Sequence, residues 1–159
     1  MPIHIQNQQK KIPLIPAQIH DIAKKILRRE GVRQYELSIV FVTDRAMQIL
    51  NRTYHHCDYP TDVLSFDWNQ DLPPSKKRTA KKYKKNIDGE IIISTVTACR
   101  QARRFRTQPY QEIVLYLAHG ILHLLGYDDH SAGERKVMRR KESELMDLLK
   151  LDLGQSHDS

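Results

Sequence analysis

The run HGILHLLGYDDH, residues 119–130, constrains this chain more than any other stretch of it. His119 and His123 stand four apart in an apolar segment. On a helix that spacing puts both imidazoles on one face, a turn apart and within reach of a single ion. Gly126 follows as the left-handed exit that helix ends commonly use, and Tyr127-Asp128-Asp129 carries the chain to a third imidazole, His130. Three neutral nitrogens around Zn²⁺, with a fourth position left open, is the recurring arrangement of catalytic zinc sites. A lone histidine on an amphipathic helix is ordinarily a packing residue. Three of the chain's eight histidines within twelve residues, flanking a helix end, predict a site for one zinc ion per chain.

The spacing also excludes one chemistry. Zinc peptidases of the His-Glu-x-x-His type take two ligands and a general base from one helix. Here Gly120 follows His119, so the helix supplies no carboxylate base, and peptide hydrolysis by that route is disfavoured. Phosphodiester chemistry asks less of a helical base, because a metal can stabilise the developing charge directly.

Hydrophobic periodicity sets this helix within an α+β domain spanning 1–159, a small mixed β-sheet covered by helices in which the His-bearing helix forms a zinc cleft. Ile3 and Ile5 alternate with polar neighbours, as in a strand. From Pro13 to Glu30, Ile15, Ile19, Ile22, Ala23, Ile26 and Leu27 repeat at helical spacing, and Gly31 closes the run. Glu36 to Thr43 is rich in β-formers. Asp44 can cap a helix carrying Ala46, Met47, Leu50 and Tyr54. DVLSF, residues 62–66, reads as an edge strand or irregular extended piece, and GEIIIS, 89–94, as a buried strand. Helices follow from Ser94 or Thr95 to Phe105, and from Pro109 through Ile113, Leu117 and Ile121 to Gly126. Ser131-Ala132-Gly133-Glu134 is a capping box opening a last helix that ends near Leu153. His130 is thereby pinned on both sides.

Charge adds a second constraint. The formal net charge of +7 is concentrated in KKRTAKKYKK, residues 76–85, whose Lys76, Lys77, Arg78, Lys81, Lys82, Lys84 and Lys85 have no acid among them. Without these seven, the rest of the chain balances at 19 basic against 19 acidic residues. So dense a block reads as an exposed, mobile loop that attracts phosphate by counterion release, or as a solvated loop that binds nothing. Cys57 and Cys99, far apart, suit reduced cytosolic thiols better than a disulfide framework. No apolar run approaches a membrane span, and the first residues show no signal-peptide core. The segment LNRTYHHCDYPTDVLSF, 50–66, crowds Asn51, His55, His56, Asp58, Thr61, Asp62 and Ser65 together. His55-His56-Cys57-Asp58 is a rival metal site, but adjacent histidines do not readily chelate together from regular structure.

HGILHLLGYDDH, PTDVLSF and GEIIIS, in that order, resemble the signature segments of the YbeY family of bacterial rRNA maturation factors. The resemblance covers about Leu50 to His130, and the order of elements outside it agrees. It implies a single-strand-specific, zinc-dependent endoribonuclease acting in 16S rRNA 3′-end maturation and ribosome quality control. The expected setting is the cytoplasm. The expected partners are rRNA and the small ribosomal subunit, with ribosomal or assembly-GTPase proteins, and no membrane. By that match His119, His123 and His130 are the ligands.

Three departures stand out. The family runs Gly-Tyr-Asp-His, whereas two aspartates here put His130 one residue late, so Asp128 or Asp129 could compete as third ligand. His130 is favoured because the capping box fixes where the last helix begins. The family's arginine before the Pro-Thr segment is matched by His55, a weaker phosphate clamp than guanidinium, with Arg52 the other candidate for a catalytic contact. The family's Gly-Asp before the buried strand is Gly89-Glu90, and the lysine-rich insertion could take over phosphate binding that the missing arginine would have provided. A ribosome-assembly or RNA-binding factor with structural zinc and little cleavage activity is the alternative. A metal hydrolase acting on another substrate comes third.

Overall fold

Alternate residues of the two longest apolar segments must point to opposite faces of a sheet, so that sheet needs cover on both sides. The computed structural model, which describes residues 2–55, 63–68 and 83–150, meets that demand. Its elements are β1 (Ile3–Asn7), α1 (Pro16–Arg29), β2 (Gln34–Val42), α2 (Asp44–His55), β3 (Val63–Asp67), β4 (Asn86–Ser94), α3 (Thr95–Phe105), α4 (Pro109–Leu124) and α5 (Ala132–Leu148). The strands form one mixed sheet in the order β1-β2-β4-β3. β2 pairs in parallel with β1 and β4, and β3 lies antiparallel to β4 at the edge.

Leu37, Ile39 and Phe41 of β2 and Ile87, Ile91 and Ile93 of β4 face the larger core, which α1, α4 and α5 complete. Val40, Val42 and Ile92 face the other way, beside Leu64 of β3, onto Met47 of α2. The α+β class and the edge position of β3 agree with the sequence reading. α4 is buried on nearly every side, through Ile113, Val114, Leu117, Ala118, Ile121 and Leu122, as befits a helix at the centre of a core.

Gly120 is what lets α4 lie so close to the sheet. A Cβ there would come within 2.8 Å of Ile91 Cγ2 on β4. The absence of a carboxylate after His119 therefore has a steric cause, since that position faces β4 and has no room for one. Gly120→Ala should destabilise the protein by about 1–2 kcal/mol in urea unfolding, overpacking outweighing the helix-propensity gain. A stabilised variant would show that the contact relaxes freely.

Helix ends differ from the sequence reading in instructive ways. α1 begins at Pro16 rather than near Pro13, because proline is favoured at a first helical position and keeps the preceding Ile15 extended. Thr43, not Asp44, caps α2, its Oγ1 accepting from the Ala46 N–H. Asp44 instead ties α2 to α3, accepting hydrogen bonds from Ser94 Oγ, Thr97 Oγ1 and Arg100 Nη2 at 3.0, 2.9 and 2.9 Å. Partial burial opposes its ionisation, but the bonds from Arg100, Thr97 and Ser94 outweigh that and hold the carboxyl below its ordinary range. A depressed pKa stabilises the fold above the unfolded-state value, near 3.9, and that contribution is lost as pH falls through the folded value. Asp44→Ala should thus cost about 1–3 kcal/mol at pH 7, with the deficit shrinking below pH 4. A deficit undiminished at pH 3 would contradict the assignment.

α5 ends at Leu148, with Leu149 and Lys150 following. Residues 151–153 of the expected helix lie outside the described residues, as do residues 76–82 of the basic block and the segment 56–62. Among the described residues no helix is long and apolar enough to cross a membrane.

Candidate metal centre

The C-terminus of α4 builds the site. After Leu125, Gly126 adopts φ 106°, and the last carbonyls are closed by Gly126 N–H to His123 O and Tyr127 N–H to Leu122 O, both at 3.0 Å. This left-handed cap turns the chain back across the helix end directly after the second histidine. The turn is held from outside. Tyr127 stacks on Tyr83 with ring centroids 3.8 Å apart, and the Lys84 N–H donates to Leu125 O. Ser131 and Glu134 then form the expected capping box, starting α5 at Ala132.

The result brings three donor atoms together. His119 Nε2 and His123 Nε2 lie 3.0 Å apart on one face of α4, as their spacing required. Asp129 Oδ2 lies 3.8 Å from the first and 3.7 Å from the second. The point equidistant from all three is about 2 Å from each, the length of a Zn–N or Zn–O bond. These residues could therefore hold one metal ion. His130 is placed differently. Its Nε2 lies 3.1 Å from Asp128 Oδ1, its side chain is 82% exposed, and it groups with Asp128 and Asp129 rather than with the α4 histidines.

A residue that sequence reasoning missed supports the first histidine. Glu142 Oε1, on α5, lies 2.6 Å from His119 Nδ1. With Nδ1–H donating to that carboxylate, Nε2 keeps its lone pair for the metal, the carboxylate–imidazole arrangement that orients metal-binding histidines. The available signal was a charge on a buried stripe, because Met138, Glu142 and Leu145 share one face of α5, which Leu149 continues just past its end. The pKa of His123 is lowered, chiefly by burial and then by the neighbouring His119, against the opposing pull of Asp129 and Asp128. Its imidazole is thus held neutral and able to donate.

The other sequence candidates fall as follows. β3 does pack beside α4, but Ser65 Oγ donates to Gly120 O, a backbone contact. Arg52 lies on the exposed side of α2, and His55 is that helix's last residue. Lys84 pairs with Asp67 on β3, and Lys85 precedes β4. Lys76, Lys77, Arg78, Lys81 and Lys82 lie outside the described residues, as does the rival cluster from His56 to Asp58. Strand alternation puts Glu90 on the α2 face with Ile92, where burial raises its carboxyl pKa.

Fold and site together define an α+β protein with three donors, able to hold a metal ion, at the C-terminal end of a core helix. Residues 4–150 match the family model described as Endoribonuclease YbeY, and the chain belongs to that family. It is 37% identical over 155 residues to the endoribonuclease YbeY of Pelotomaculum thermopropionicum, covering 95% of this chain and 99% of that protein. It is 36% identical over 151 residues to that of Syntrophus aciditrophicus, covering 94% and 90%. Among solved structures it resembles the solution structure of TM1509 from Thermotoga maritima, with a TM-score of 0.59 at 21% identity over 95% of this chain and 93% of that one. That likeness supports the fold.

Proposed function

We propose that this protein is an endoribonuclease that cuts single-stranded RNA with one zinc ion at the α4 histidines, acting in the cytoplasm on the 3′ end of 16S rRNA during small-subunit maturation and quality control. The observation that carries the proposal is the convergence of His119 Nε2, His123 Nε2 and Asp129 Oδ2 on a point about 2 Å from each, in a chain of the endoribonuclease YbeY family. Bound there, the metal would supply Lewis-acid stabilisation of charge developing on a phosphodiester. The chain's own residues do the rest. Glu142 fixes the His119 tautomer, burial keeps His123 neutral, and the capped turn delivers a carboxylate to the same point.

Three protein donors leave a position for substrate, which separates this centre from a closed structural zinc site. The third donor comes from the turn, and Asp129 fits it better than His130 because only Asp129 approaches both α4 nitrogens. His55 and Arg52, at the end of α2, are assigned to phosphate contact, and the basic block 76–85 to backbone attraction.

The test is cleavage of a labelled single strand carrying a 16S 3′-end precursor, beside the same sequence annealed as a duplex. Internal cleavage of the single strand alone, abolished by chelation and restored by Zn²⁺, is the expected result. Binding without cleavage under every metal condition would replace this reading with that of an assembly factor.

A further inference from the structure

Outside the metal centre, α5 carries a concentrated set of basic residues, as α1 does with Lys24, Lys25, Arg28 and Arg29. At 3.6 residues per turn, Arg135, Lys136, Arg139 and Arg140 occupy one arc of about 140°. All four are exposed, whereas Met138 and Leu145 on the opposite face are buried in the core. Of the acidic residues of this helix only Asp147 falls within that arc, about two turns beyond Arg140, and the others are directed elsewhere. Glu134 closes the capping box, Glu142 meets His119, and Glu144 pairs with Lys141. The chain outside residues 76–85 is balanced in number, so this segregation is a property of the fold that composition does not reveal.

The basic face starts at the metal turn. Arg135 Nη1 donates to His130 O at 3.2 Å and to Asp129 O at 3.4 Å, so the first guanidinium lies against the backbone of the residue offering the third donor. From there Lys136, Arg139 and Arg140 continue outward. The rise from residue 135 to 140 is about 7.5 Å, with long side chains extending the reach beyond it. We infer that this face of α5 is a phosphate-binding track that guides single-stranded RNA to the metal centre. The inference rests on the proposed RNA substrate. A membrane surface is the other anionic partner a basic helix can meet, but interfacial helices present an exposed apolar face to lipid, and here the apolar face is buried in the core.

Arg135 also supports the turn, so the decisive variant keeps it and changes Lys136→Gln, Arg139→Gln and Arg140→Gln together. Binding is measured on a 2′-O-methyl oligoribonucleotide, which resists cleavage, across a salt series, and cleavage is measured on unmodified RNA in parallel. The track predicts about a tenfold loss of affinity near 100 mM salt. It also predicts a salt slope shallower by roughly 0.7 for each phosphate no longer neutralised, with an unchanged zinc content. Unchanged affinity and slope in a variant that still cleaves would overturn the track and leave the ribonuclease reading intact. A wild type that neither binds nor cleaves RNA would overturn both. Loss of binding to phosphatidylserine vesicles with RNA affinity unchanged would assign the face to lipid instead.

Discussion

Asp129→Ala is expected to release the metal, whereas His130→Ala is expected to keep it. The two residues are neighbours in sequence, yet only the Asp129 carboxylate approaches both α4 histidine nitrogens. Removing it leaves two donors, too few to hold zinc against water, and metal affinity should fall by more than the roughly 10–100-fold typical of losing a supporting partner. His130 is mostly exposed and paired with Asp128, so its truncation should leave metal content near wild type. Inductively coupled plasma analysis after dialysis reads both directly. Asp129→His should recover affinity where Asp129→Ala does not, because an imidazole at that position can also meet the ion. Metal loss confined to His130→Ala would restore that histidine as the third ligand and show that the turn rearranges when it binds.

The second large effect is expected at Glu142. Its carboxylate lies 2.6 Å from His119 Nδ1, and both side chains are largely buried. Glu142→Ala should lower metal affinity about 10–100-fold, since the carboxylate that fixes the imidazole's tautomer and ring orientation is then gone. Glu142→Gln should recover part of this, because an amide oxygen still accepts from Nδ1–H without the charge. Competition with a chromophoric zinc chelator gives the affinities, and ¹⁵N shifts of the His119 ring report the tautomer. Equal affinity in all three proteins, with an unchanged tautomer, would show that His119 is oriented by its helix packing alone.

Asp129 and Glu142 also mark how far the sequence could be read. The α4 histidine pair was legible because a helix converts a spacing of four into a shared face with no further information. The buried strand at GEIIIS and the edge strand at DVLSF were legible from apolar continuity and its interruption. The choice among Asp128, Asp129 and His130 was not, because one residue more or less in a turn decides which side chain points inward. That stagger is set by the left-handed Gly126 cap and the Tyr83–Tyr127 stack, which are contacts made by the folded chain. Sequence reasoning favoured His130 from the position of the capping box, and that box formed as expected, but it fixes where α5 starts and not which turn side chain faces α4. Glu142 arrives from another helix, and Asp44 was read as a cap because local chemistry cannot show which partners wait at the start of α3. The basic face of α5 is similarly a pattern that exists only once the buried face is known.

Zinc chemistry at α4 stands or falls on one comparison: zinc per chain and the rate of single-stranded RNA cleavage, measured on the same preparations of wild type and His123→Ala. His123 contributes one of the three convergent donors, and its exchange for alanine leaves the α4 backbone intact. Wild type should carry one zinc per chain and cleave, and the variant should do neither while keeping a cooperative unfolding transition. A His123→Ala protein that cleaves at the wild-type rate without metal would contradict this assignment, since the chemistry would then lie elsewhere in the molecule.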